Sequence, residues 1–153
     1  MFVAVEFGGP LVTGENLGSG GFLAKVPPGI RAKVLSLGES CKYPQEQTIY
    51  NKGDPSLYLY IVKSGHVAIE ISFPPRDRQI LMTIGPGDTF GWPALIESGT
   101  ATASARAIEQ VELLRIEGKL LRDLCSEDPR LGLELYRFLT ESISALLAAP
   151  HTE

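Results

Sequence analysis

Few side chains in this chain have the type and spacing that chemistry needs. Histidine occurs twice, at His66 and His151, and cysteine twice, at Cys41 and Cys125. A metal centre built on two or three imidazoles and a carboxylate is therefore not expected, and no metal site is assigned. An iron–sulfur cluster needs about four thiolates, which the chain does not supply. Cys41 and Cys125 read as small packed hydrophobes, and His66 as a turn residue. No nucleophile stands at a useful spacing from a base, so no catalytic residue is assigned and the chain is not expected to be an enzyme. Gly18-Ser19-Gly20-Gly21 lacks the Gly-x-x-x-x-Gly-Lys-Ser/Thr spacing of a phosphate loop and reads as a linker. The most specific segment is Gly85-Pro86-Gly87-Asp88-Thr89-Phe90-Gly91-Trp92-Pro93-Ala94-Leu95, followed by Ala101-Thr102-Ala103-Ser104-Ala105-Arg106-Ala107.

Composition limits what these residues can serve. The 153 residues carry 14 Lys+Arg against 18 Asp+Glu, a net charge of −4, with 44% hydrophobic and 21% charged residues. That is one globular domain with room for its own core. An isoelectric point near 5.2 gives no basic face for a phosphate backbone, and the pair Arg76 and Arg78 is too small a patch to make one. No apolar run reaches the roughly 18 residues of a membrane span, and Met1–Glu6 lacks the basic start of a signal peptide. With two cysteines and no disulfide framework, a cytoplasmic location is expected.

The elements that must position the central motif follow from periodicity. Residues 1–28 hold six of the 16 glycines between Gly8 and Gly21 and read as a loosely held arm. Leu57–Val62 is a continuous apolar run suited to a strand covered on both faces. After the turn Lys63–His66, Val67, Ile69 and Ile71 alternate with Ala68, Glu70 and Ser72, the pattern of a half-buried strand. Phe73–Arg78, with two prolines, reads as a loop before the strand Ile80–Ile84, and a last long strand is expected over about 102–116. Short strands divided by regular turns indicate a sandwich, barrel or jelly roll. Beyond Gly118 the period becomes helical: a short helix over 119–125, then Asp128-Pro129 as N-cap and first position of a helix reaching about Ala149. Leu131, Leu135 and Phe138 form one stripe of that helix, and Tyr136, Leu139, Ile143 and Leu146 form a second with the spacing of a packing seam. The second stripe suits a dimer partner; one wide stripe buried within the chain is the competing reading.

The glycine-bearing segment, together with Tyr50–Pro55, Leu59–Val67 and Val111–Ile116, resembles the cyclic-nucleotide-binding domain family, which includes the sensor halves of CRP/FNR-type regulators. The resemblance covers roughly residues 36–147. It implies an eight-stranded β-roll followed by two helices that shift against the roll when ligand binds. It also implies a phosphate-binding cassette, Phe-Gly-Glu-x-Ala-Leu and then Arg-Ser/Thr-Ala. There, N–H groups at a short helix receive the anion, the arginine pairs with the cyclic phosphate and the glutamate accepts from the ribose 2′-OH. Phe90, Gly91, Ala94 and Leu95 match; Trp92 stands at the glutamate position, Pro93 removes one donor, and Ala101 stands at the arginine position beside the matching hydroxyl Thr102. Each hydrogen bond to a charged group contributes about 1.5–3 kcal/mol, so losing two costs roughly 3–6 kcal/mol, or about two to four powers of ten in affinity. Arg106 is five residues beyond Ala101, about 16 Å along an extended strand, and is a poor substitute.

The expectation is therefore a mainly β chain, a double-stranded β-helix (jelly roll or β-roll) with an N-terminal helical segment and two C-terminal helices, its single domain spanning 29–153. Its function is expected to be that of a stand-alone, non-catalytic regulatory or sensor domain with a degenerate cassette and weak or no cAMP and cGMP binding. No cofactor is assigned. The partners expected are a small-molecule ligand and either a second copy or another protein at the C-terminal helix, with no membrane. No DNA partner is expected, since no helix-turn-helix follows that helix. Two readings attach to Trp92. Its indole fills and retires the nucleotide cavity, or it walls an open cleft beside Thr102 for a different planar or apolar ligand. Competing with a sensor role are an inert dimerisation or scaffold module and, more distantly, a cupin-type enzyme.

Overall fold

The run that reads as apolar on both faces becomes β3, Tyr58–Ser64, at the centre of the molecule's packing. Successive side chains of a strand point to opposite faces, and here each face has its own core. Leu59 and Ile61 join Leu114 and Ile116 in a cluster beneath the helices, whereas Tyr60 and Val62 join Val67, Ile84, Phe90 and Leu113 in a second cluster between the sheets. The computed structural model describes residues 26–72 and 78–148. The Gly-rich arm up to residue 25, most of the proline loop after Ser72, and the side chains of Ile143 and Leu146 lie outside the described residues.

In chain order the elements are α1 (Pro28–Ser36), β1 (Gly38–Tyr43), β2 (Thr48–Tyr50), β3, β4 (Val67–Ser72), β5 (Arg78–Ile84) and β6 (Thr89–Phe90). A short 3-10 helix (Trp92–Leu95) follows, then β7 (Ser104–Ala107), β8 (Val111–Glu117), α2 (Gly118–Glu127) and α3 (Pro129–Ala148). The strands form two four-stranded sheets, β1-β8-β3-β6 and β2-β7-β4-β5, with every pairing antiparallel. This is the mainly β jelly roll, flanked by helices, that the family resemblance implies, one of the three architectures the turn spacing leaves open.

Three local expectations are corrected. The long strand over 102–116 is two strands in different sheets: β7 pairs with β4 and β2, and β8 with β1 and β3. A turn at residues 108–110 carries the chain from one sheet to the other. Arg78 opens β5, opposite Ser72, rather than ending the loop. Glu70 faces away from the core as alternation requires, yet it is only 3% exposed, because Arg106 on the neighbouring strand covers it.

Helix α3 starts where Asp128 Oδ1 accepts from the Arg130 backbone N–H at 3.1 Å, the N-cap that Asp128-Pro129 implies. Leu131 and Leu135 are fully buried, and Phe138 and Leu139 pack against the same cluster. Leu139 therefore belongs to the inward stripe, since positions i, i+4, i+7 and i+8 share a helix face. Tyr136 is half exposed on the shoulder of that stripe, and among the described side chains Leu133 of α3 and Leu120 of α2 are apolar and turned outward.

Candidate functional site

The site is set by a backbone that admits no side chain at one point. Gly91 sits at φ +87°, a conformation costly for L residues, and a Cβ there would lie 2.6 Å from the Tyr58 carbonyl oxygen. This close approach lets β6 pair edge to edge with β3 and turn directly into the 3-10 helix. Phe90, just before the turn, stacks on Tyr60 with centroids 4.9 Å apart. After the turn the Ala94 N–H donates to the Gly91 carbonyl and the Ile96 N–H to the Pro93 carbonyl, while Pro93 itself offers no N–H.

The two C-terminal helices hold this short helix from below. Arg122 Nη1 donates to the Ala94 carbonyl at 2.6 Å, and the Tyr136 hydroxyl donates to the Leu95 carbonyl at 3.4 Å. Gly118, the first residue of α2, comes so near that a Cβ would stand 2.3 Å from the Ala94 oxygen. Ala94 and Leu95 are buried, with Leu95 in the helix-side core, so they build the frame and do not face a ligand.

Above the frame lies an open cleft of about 430 Å³. Phe90, Gly91, Trp92, Ala101 and Thr102 all line it, so the structure brings together five of the seven cassette positions that the sequence singles out. The cleft does not support the reading in which the indole fills the cavity. Trp92 is half buried and lies to one side, its ring 5.7 Å from that of Phe138 on α3 at a tilt of 40°. Ala101 is fixed by its backbone, its N–H donating to the Asp54 carbonyl and its carbonyl accepting from the Gly53 N–H.

Sequence reasoning missed most of the wall. Tyr50, Ile69, Met82, Ile84, Ala103 and Phe138 also line the cleft. The alternation of β4 and the helical stripe at Phe138 mark some of them as inward-facing, but not as facing an unfilled space. Burial pushes the Tyr50 hydroxyl well above the usual phenol range, so it remains a neutral donor. The carboxylate at the rim, Asp88, accepts from the Gly85 N–H at 2.9 Å.

No lysine, arginine or histidine lines the cleft among the described residues. Arg106 points away from it on β7, where its neighbours Ala105 and Ala107 face the core. Its Nε and Nη2 donate to the two Glu70 oxygens at 3.2 and 2.7 Å, and its Nη1 donates to Glu46 at 2.8 Å. The hydrogen bond to Glu70 is the main cause that holds the guanidinium's pKa above its ordinary value. Arg115 lies over the Tyr58 ring and donates to Glu39.

His66 pairs with Glu109 on the surface, and among the described residues no group of three or more metal-ligating side chains occurs. Both thiols are half buried, and burial raises their pKa, that of Cys125 to about 11. No helix among the described residues is long and apolar enough to cross a membrane.

The sequence profile described as cyclic nucleotide-binding domain matches residues 40–128. A CRP-like cAMP-activated global transcriptional regulator of Mycobacterium tuberculosis is 28% identical over 129 residues, 84% of this chain and 58% of the regulator. The cyclic AMP receptor protein of Thermus thermophilus is 38% identical over 83 residues, 54% of this chain and 38% of the receptor. The chain thus spans well under two thirds of the length of these curated relatives. Among solved structures, the Thermus thermophilus catabolite activator protein superposes with a TM-score of 0.73 at 28% identity, over 80% of this chain and 58% of that one. The regulatory domain of Toxoplasma gondii PKA, crystallised with cAMP, superposes with a TM-score of 0.71 at 23% identity, over 86% of this chain and 48% of that one.

Proposed function

Because the chain belongs to the cyclic nucleotide-binding domain family, we propose that it is a non-catalytic regulatory domain whose cassette holds cAMP and cGMP weakly or not at all. One observation carries this reading: the cleft has the family's position but, among the described residues, no basic side chain to receive a cyclic phosphate. Trp92 and Ala101 occupy the positions where family members place the acid and the guanidinium. Arg106 is bound to two carboxylates on the other side of its strand. Pulling it away would leave Glu70 buried without its partner, which opposes any swing toward a ligand.

The output runs through the C-terminal helices. Phe138 and Leu139 of α3 form part of the cleft wall, while Arg122 and Tyr136 grip the carbonyls of the cassette helix. A ligand in the cleft touches the roll and α3 together, so occupancy biases how α3 lies on the roll. The exposed apolar side chains Leu133 and Tyr136 on α3, and Leu120 on α2, support a homodimer or a docked protein at this surface. The domain needs no cofactor and no DNA for this role, and its two unpaired thiols suit a cytoplasmic setting.

Isothermal calorimetry with cAMP and with cGMP tests the reading. No saturable heat is expected at micromolar nucleotide. Micromolar binding that is lost in Thr102→Ala overturns the proposal of a degenerate cassette.

A further inference from the structure

The cleft is open, and its chemistry differs from that of a nucleotide-phosphate site. Ile69 and Ile84 come from the second sheet, Phe90 and Trp92 from the cassette, and Phe138 and Leu139 from α3. The polar side chains among its lining residues are hydroxyl-bearing, Tyr50, Thr83, Thr89 and Thr102, apart from the Trp92 indole and the exposed Asp88 carboxylate. At about 430 Å³ it falls within the range of small-molecule sites. The rings of Trp92 and Phe138, both lining the cleft, lie 5.7 Å apart at a tilt of 40°. Aromatic pairs gain free energy beyond their area burial, so an aromatic wall favours a ring-bearing ligand.

We infer that the cleft takes an uncharged, largely apolar, ring-bearing ligand with one or two hydroxyl or carbonyl groups on its edge. The inference rests on the proposal that the cassette no longer grips a cyclic phosphate. An anion entering this cleft loses its hydration and finds no basic side chain among the described lining residues, an uncompensated cost that a neutral molecule does not bear. A neutral ring gains contact with the Trp92–Phe138 wall, and its edge oxygen meets the Tyr50 hydroxyl or the threonines. Tyr50 remains protonated across the neutral range, so it donates to a carbonyl or hydroxyl without bringing charge.

The chain contains a single tryptophan, Trp92, which lines the cleft, so the emission has one origin and the cleft variant below localises the binding. The test titrates the full chain with N-phenyl-1-naphthylamine, an uncharged aromatic fluorophore whose absorption overlaps tryptophan emission. The expected result is saturable quenching of Trp92 at micromolar concentration with one molecule per chain. The sulfonated counterpart, 1-anilinonaphthalene-8-sulfonate, is expected to bind at least about tenfold more weakly. Ala103→Phe, at a cleft residue that is 8% exposed, places a ring in the space and should abolish the quenching in a chain whose circular dichroism is unchanged. Met82→Arg, at a more exposed wall residue, adds a cation without crowding the core and should narrow or reverse the preference over the sulfonate.

Absence of saturable quenching in the wild-type chain overturns the proposal, as does quenching that survives unchanged in folded Ala103→Phe. The same titration is repeated with cAMP as competitor. Displacement of the fluorophore by micromolar cAMP defeats the underlying reading of the cassette. A chain that ignores both cAMP and the fluorophore defeats the ligand class alone.

Discussion

The two faces of the β2-β7-β4-β5 sheet treat charge in opposite ways. On the outer face Arg106 binds Glu70 and Glu46, and Arg78 lies 3.8 Å from Glu70, so that a nearly buried carboxylate is neutralised in place. On the inner face the same strands offer Ile69, Met82 and Ile84 to the cleft, with no cation among the described residues. On β7 strand parity separates the two: Ala105 and Ala107 face inward, so Arg106 between them faces out. On β5 a bulge at Leu81 puts Arg78 on the opposite face from Met82 and Ile84. The lesson is that an arginine close in sequence to a binding motif belongs to the site only when parity places it there.

The comparison can be broken most forcefully by moving the charge. The double substitution Trp92→Glu with Ala101→Arg restores the family's acid and guanidinium on the cleft side. It is expected to strengthen cAMP binding by about two to four powers of ten, the equivalent of roughly 3–6 kcal/mol, as measured by calorimetry. No gain in a folded double variant would mean that the missing side chains are not what disables the cassette.

Removing the charge from the outer face should cost stability and spare the cleft. Arg106→Ala leaves the Glu70 carboxylate, 4% exposed, without its bidentate partner. A loss of about 3–5 kcal/mol in urea unfolding is expected. Affinity for a cleft ligand should stay unchanged below the new melting temperature; a parallel loss of affinity would place Arg106 in the site after all.

Smaller effects sharpen the frame beneath the cleft. Gly91→Ala puts a Cβ against the Tyr58 carbonyl at positive φ and should destabilise by about 1–3 kcal/mol in thermal unfolding. Tyr136→Phe removes only a long hydrogen bond to the Leu95 carbonyl and should cost about 0.5 kcal/mol. A substantially larger loss on that substitution would show α3 gripping the cassette more firmly than a 3.4 Å contact implies.

Much of this architecture was legible in the residues themselves. Alternation gave β4, the doubly apolar run gave β3, and Asp128-Pro129 marked the start of α3, because each depends on local chemistry and period. The cassette positions Phe90, Gly91, Trp92, Ala101 and Thr102 were legible through the resemblance, and they do share one cleft. What stayed hidden depends on packing at a distance. Whether Trp92 fills a space or borders it is decided by Phe138, which lies 46 residues later and meets it only once α3 folds back. The division of residues 102–116 between two sheets hinges on one turn within a continuous β pattern. The burial of Glu70 needs its cross-strand partner, which alternation alone does not reveal.

The central claim is that this cleft has kept its shape and lost its hold on phosphate. A crystal structure of the chain equilibrated with micromolar cAMP tests it most directly. The account predicts a cleft without a seated cyclic phosphate. A nucleotide found there, its phosphate hydrogen-bonded by the cassette N–H groups and Thr102, would contradict it.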